Sequence, residues 1–186
     1  MQDRTQQALD QLLVLAAQTG DPAAAAALAR RWSRRLTLHA MRHVRDPDAA
    51  REIAQETWLA ILAGLPRLAD PARFRAWAYA ILRNKTADSI RRRRRRPESL
   101  PEIAVGPPED DGSAEVRAAL ARLDADDREL IILRHVEGLS LAELAIVFDR
   151  KSKTITSRLH SARGRLRAEL EPKGASHDIT DRCTRR

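Results

Sequence analysis

Apolar residues recur along this chain at steps of three and four, and alternation of apolar and polar positions is nowhere sustained, so the pattern predicts helices throughout and no sheet. Ala, Leu, Arg and Glu dominate, in keeping with helix propensity. Gln6 to Gln18 is expected to form a first short helix, with Leu12, Leu13 and Leu15 as its apolar side. Three Asp-Pro pairs follow, at Asp21-Pro22, Asp46-Pro47 and Asp70-Pro71. Each reads as a helix start, because the aspartate can accept from orphan amides and the proline is pre-set for the first turn. From Pro22 to Val44, Leu28, Trp32, Leu36 and Ala40 point inward, and Arg30, Arg31, Arg34, Arg35 and Arg42 form a solvated face. From Pro47 to Ala63, the inward set is Ala50, Ile53, Ala54, Ile61 and Leu62, with Gly64 as a left-handed cap and Glu52, Gln55 and Glu56 left outside.

The next helix starts at Asp70 or at Phe74; the pattern allows both. It contains the densest stretch of candidate chemistry. Phe74, Trp77 and Tyr79, half of the six aromatic residues, run into Arg83, Asn84, Lys85 and then six consecutive arginines that include Arg91 and Arg92. Phe74, Trp77, Ala78, Ile81 and Leu82 share the spacing of a core face. Tyr79 is about 200° from Trp77 round a helix, so it is expected off that face. Tyr79, Asn84 and the basic end are therefore candidates for stacking bases and neutralising phosphates.

Composition breaks at Pro97. From there to Gly112 the chain holds four prolines and five acidic residues and no basic one, which predicts an extended acidic linker. After Ser113, apolar periodicity returns with Val116, Leu120 and Leu123, then with Leu130, Ile131, Leu133 and Val136 in a helix closed by Gly138. Ser140 and Glu143 have the spacing of a capping box ahead of a short helix, Leu141 to Phe148. A polar break, Asp149-Arg150-Lys151-Ser152, precedes a last helix that starts at Lys153 or Thr154 and runs to about Leu170, with Ile155, Leu159, Ala162 and Leu166 inward. A short capped helix, a turn and a longer helix with polar outward positions form a helix-turn-helix pattern. The outward positions are Thr154, Thr156, Ser157, Arg158, His160, Ser161 and Arg163, whose hydroxyls and guanidinium groups suit base edges and phosphates.

The length of 186 residues and apolar fraction of 43% suit two small helical domains. A net charge of +8 points to a large anionic partner. The single cysteine, Cys183, excludes a disulfide framework and a thiolate metal site and fits a reducing cytoplasm. His39 and His43 are four apart but have no third ligand at a recognisable spacing, so no metal and no cofactor are expected. No apolar run approaches a membrane span, so no membrane insertion is expected. No nucleophile motif or phosphate-binding glycine loop is present, and the chain is not expected to be an enzyme.

Taken together these residues resemble a sigma factor of the extracytoplasmic-function (ECF) group of the sigma-70 family. The resemblance spans about residues 20 to 171 and lies in two blocks. Glu52-Ile53-Ala54-Gln55-Glu56-Thr57-Trp58 is similar to that family's polymerase-docking helix, and Trp77 to Asn84, with Asp88 and the arginines behind it, to its promoter-melting segment. Leu133 to Ala145 and Thr154 to Arg163 are similar to its second, helix-turn-helix block. The chain departs from the family where Arg51 and Glu52 replace its usual glutamate and aspartate. It departs again in the turn, where Asp149, Arg150 and Lys151 replace a glycine, an apolar residue and a serine.

The resemblance implies an all-α protein with region 2 over residues 1–96, a linker over 97–113, region 4 over 114–171 and a tail over 172–186. It implies that Glu52, Gln55 and Glu56 dock on the clamp helices of the largest subunit of core RNA polymerase. It assigns Tyr79, Arg83, Asn84, Lys85, Arg91 and Arg92 to the minus-10 element. At the minus-35 element it assigns Thr156, Ser157, His160 and Ser161 to bases and Lys153, Arg158 and Arg163 to phosphates, with Thr154 in the same DNA-binding set. An anti-sigma factor is implied by the family alone. The alternatives are a helix-turn-helix regulator that does not dock on polymerase, and a basic helical adaptor with no role on DNA.

Overall fold

A computed structural model describes residues 2–44, 46–95 and 113–171. Residues 97–112 of the expected linker, the tail and the last of the six arginines lie outside the described residues. Eight helices and no strand occur among the described residues: α1 (Gln2–Gln18), α2 (Pro22–Val44), α3 (Pro47–Gly64), α4 (Phe74–Arg94), α5 (Ser113–Arg122), α6 (Ala125–His135), α7 (Leu141–Val147) and α8 (Ser152–Leu170).

The Asp-Pro pairs act as read from the sequence at two of three places. Asp21 accepts from the Ala23 amide at 2.8 Å, and Asp46 accepts from Asp48 and Ala49 at 2.9 and 3.2 Å, opening α2 and α3. Asp70 caps only a 3-10 turn over Pro71–Arg73, and α4 begins at Phe74. Gly138 is left-handed, with φ of 72°, and closes the chain leaving α6. Gly64 is not left-handed. Its φ is −93°, and its lack of a side chain serves packing instead: a Cβ there would stand 2.7 Å from the Trp77 ring. Asp149 in the turn before α8 adopts φ of 50°, a conformation aspartate tolerates better than most residues. The capping box of α7 is complete, with Ser140 N donating to Glu143 Oε2 at 2.8 Å and Glu143 N to Ser140 Oγ at 3.2 Å.

The helices pack as two bodies, α1 to α4 with α7, and α5, α6 and α8. In the first, Leu28, Trp32, Leu36, Ile53, Ile61, Phe74, Tyr79 and Leu82 are fully enclosed. Leu62, expected inside, is exposed. So are Leu12 and Leu15 of α1, whose inward side is set by polar anchors rather than by its leucines. Asp10 pairs with Arg31 at 2.9 Å, and Gln18 Nε2 donates to the Leu65 and Leu68 carbonyls, leaving Val14 as the buried apolar residue of that helix. In the second body, Leu123, Leu130, Ile131, Ile132, Leu133, Ile155, Leu159 and Ala162 form the core, and Val116 and Val136 are exposed.

Candidate nucleic-acid interface

The basic end of α4 is built on a buried face that differs from the expected one. With Phe74 as the origin and a turn of about 100° per residue, Leu82 falls at about 80° and Tyr79 at about 140°, whereas Trp77 falls at about 300° and Asn84 at about 280°. Observed burial follows this order. Tyr79 is 1% exposed and lies edge-on to Trp32 at 5.8 Å and to His39 at 5.2 Å, whereas Trp77 is half-buried against Gly64. The expectation that Tyr79 faces outward is therefore corrected: it is a core residue and offers no ring to a base. The aromatic residue on the Asn84 side is Trp77, two turns before it. Asn84 itself is exposed.

Five cations of this helix, Arg83, Lys85, Arg91, Arg92 and Arg93, are engaged by neighbours. Arg83 lies over the Phe148 ring at 4.8 Å. Arg91 pairs with Asp88. Lys85 Nζ is 3.4 Å from Glu56 Oε2, and Arg92 Nη2 donates to Glu56 Oε1 at 3.2 Å. Arg93 donates to Asp46 at 2.8 Å, and this bond, with the Ala49 amide, holds the Asp46 carboxyl below the usual carboxylate range. The acids expected to dock and the cations expected on DNA thus share one surface. Glu52 and Gln55 are exposed on α3, and Glu56 is half-buried against α4. Leu59 and Leu62, exposed on the same helix, continue the line and were missed as candidates. Their three-residue step beyond Glu56 was the available signal.

On α8, Ile155, Leu159 and Ala162 turn inward, and Lys153, Thr154, Thr156, Ser157, His160, Ser161 and Arg163 are exposed, as the spacing predicts. The helix starts at Ser152, earlier than expected. Arg158 departs from its expected phosphate role. It is half-buried and donates to Asp127 at 3.0 Å and Asp126 at 3.2 Å, with Asp124 at 3.6 Å. Arg165, two turns on, donates to the other oxygen of Asp127. Burial alone would raise the Asp127 carboxyl, but the guanidinium groups of Arg165 and Arg158 outweigh it and hold the group below its ordinary range. This clamp was missed; its signal was the acidic run Asp124, Asp126, Asp127 and the seven-residue spacing of the arginines. Arg163 donates to His135 Nε2 at 3.2 Å. Burial, then the charges of Arg163 and Arg134, lower the His135 pKa, which favours the neutral ring whose bare nitrogen can accept that bond.

The histidines weighed as a metal pair, His39 and His43, have ring centroids 5.2 Å apart on α2, and His39 packs on Tyr79. No described helix is long and apolar enough to cross a membrane.

Residues 28–96 match the family model of sigma-70 region 2 and residues 113–166 that of sigma-70 region 4. The chain is 34% identical over 143 residues to the ECF RNA polymerase sigma factor SigC of Mycobacterium tuberculosis, covering 70% of this chain and 75% of that one. It is also 34% identical over 137 residues to the ECF RNA polymerase sigma factor EcfG of Rhodopseudomonas palustris, covering 70% and 76%. Among solved structures it resembles CnrH in complex with the cytosolic domain of CnrY, with a TM-score of 0.69 and 27% identity over 89% of this chain and 99% of that one. It likewise resembles the sigma factor RpoE in complex with the anti-sigma factor NepR from Bartonella quintana, with a TM-score of 0.65 and 26% identity over 78% and 95%. Two sigma-70 family models in the expected order, together with ECF sigma factors at 34% identity over about three quarters of their length, place the chain in the extracytoplasmic-function group of the sigma-70 family.

Proposed function

We propose that this chain binds core RNA polymerase and directs it to promoters, working in the cytoplasm without catalysis of its own. Glu52, Gln55 and the neighbouring Glu56 form the docking face for the clamp helices of the largest subunit. Asn84, with Lys85, Arg91 and Arg92 and the half-buried Trp77, engages the minus-10 element as it opens. α8 enters the major groove at the minus-35 element. The observation that carries the reading is the exposed row Thr156, Ser157, His160 and Ser161, flanked by Lys153 and Arg163 and backed by the Asp127 clamp. Short hydrogen-bonding side chains let a helix approach base edges closely, and the flanking cations suit phosphates. Arg158 supports that helix from behind. An anti-sigma factor, by analogy with the complex of RpoE and NepR, would cover these faces.

The test is run-off transcription with purified core polymerase. The chain should produce promoter-specific transcripts. The Asn84→Ala variant should still bind polymerase but open promoter DNA poorly, read by permanganate reactivity of unpaired thymines. Tight, salt-sensitive binding to duplex DNA with no transcript would favour a regulator that acts without polymerase.

A further inference from the structure

Among the described residues, the proposed docking face and the proposed strand-binding face meet at Glu56. Its two oxygens are divided between two cations of α4, Oε2 with Lys85 at 3.4 Å and Oε1 with Arg92 at 3.2 Å. Lys85 and Arg92 are seven residues apart, two turns or about 10 Å along one side of the helix. Two cations so placed, with side chains 35% and 56% exposed, suit the phosphates of an extended strand, and a carboxylate with 30% exposure stands where a phosphate would.

The neighbouring pair behaves differently. Asp46 holds Arg93 but also caps α3 through the amides of Asp48 and Ala49, so releasing it would disturb a helix end. Glu56 lies in the middle of α3, away from any helix end, so its release disturbs no cap. A partly exposed ion pair of this kind, open to water and salt, is weak enough to exchange with a polyanion.

We propose that Glu56 is an internal competitor for a phosphate site formed by Lys85 and Arg92, and that engaging Glu56 on polymerase releases both cations to the DNA strand. The release step rests on the docking reading above. The competition itself does not, and it can be measured on the chain alone. By linkage, whatever loosens Glu56 from α4 must favour strand binding, and strand binding must in turn free Glu56.

The experiment is fluorescence anisotropy of a labelled single-stranded DNA of about 12 nucleotides, a length within the range of single-strand sites, titrated with the full chain without polymerase. Glu56→Gln, which keeps the shape of the side chain, should tighten binding about three- to fivefold and steepen its salt dependence. Asp48→Asn, which removes the same charge from the first turn of α3, should change it less than about twofold. Adding Lys85→Ala and Arg92→Ala to Glu56→Gln should abolish the gain. Equal tightening by Asp48→Asn and Glu56→Gln would reduce the effect to bulk charge and overturn the proposal, as would no gain from Glu56→Gln or a gain that survives loss of both cations. Polymerase retention by Glu56→Gln is measured separately. Undiminished retention would overturn the docking role of Glu56 and the release step with it, while the oligonucleotide result decides the competition.

Discussion

Each body contains a carboxylate that grips two cations spaced seven residues apart on a neighbouring helix. In the first, Glu56 of α3 holds Lys85 and Arg92 of α4; in the second, Asp127 of α6 holds Arg158 and Arg165 of α8. The construction is the same and the surroundings are not. The Glu56 side chain is 30% exposed, whereas that of Asp127 is wholly buried. A carboxylate shut away from water cannot lose its partners without leaving a buried charge unpaired, so the pair acts as a fastening. At the surface, water and salt can replace either partner, and the pair can exchange. Burial, more than the number of ion pairs, decides which of these cations can be displaced from their carboxylate.

The comparison can be broken in three ways. The largest effect should come from the core of the first body. Tyr79→Ala should cost about 3–5 kcal/mol and Trp77→Ala about 1–2 kcal/mol in urea unfolding. Tryptophan fluorescence is a suitable probe, since Trp32, Trp58 and Trp77 all lie in the first body. The opposite ranking would show that the face assigned to α4 is wrong. Next, Asp127→Asn should destabilise the second body by about 1–3 kcal/mol, since the freed arginines can still turn partly to solvent. Faster amide exchange along α8 would register it. Because the folded pKa of Asp127 lies below its unfolded value, its contribution is fully present above about pH 4 and is lost as pH falls through the folded pKa. Acid titration of the wild-type chain should therefore loosen α8, and Asp127→Asn should remove that dependence. The smallest effect is expected at Glu56→Gln, under about 1 kcal/mol of stability in the same urea measurement. A loss as large as that at Asp127 would erase the distinction between fastening and exchange.

The helices were legible because their signals are local. Asp-Pro pairs, a capping box and the spacing of Ile155, Leu159 and Ala162 each depend on residues within a turn or two. The exposed reading face of α8 follows from the same periodicity. What could not be read depends on contacts distant in sequence. The face of α4 was assigned from apolar residues at helical spacing, but burial there also takes in Arg75, Thr86 and Ser89, which shifts the centre of the stripe toward Tyr79 and away from Trp77. The roles of Arg158 and Arg92 turn on acids 31 and 36 residues away, which periodicity along one helix does not reveal. α1 shows the same limit, since its orientation is set by Asp10 and Gln18 rather than by its leucines.

The close approach at position 64 reaches further than its size suggests. With only a hydrogen where other residues carry carbon, α3 ends flush against the indole of Trp77, and that ring shares its side of α4 with Asn84. Any larger residue would wedge the two helices apart or tip the ring outward. The smallest side chain in the protein thereby acts as a spacer gauge for the surface on which strand separation would take place.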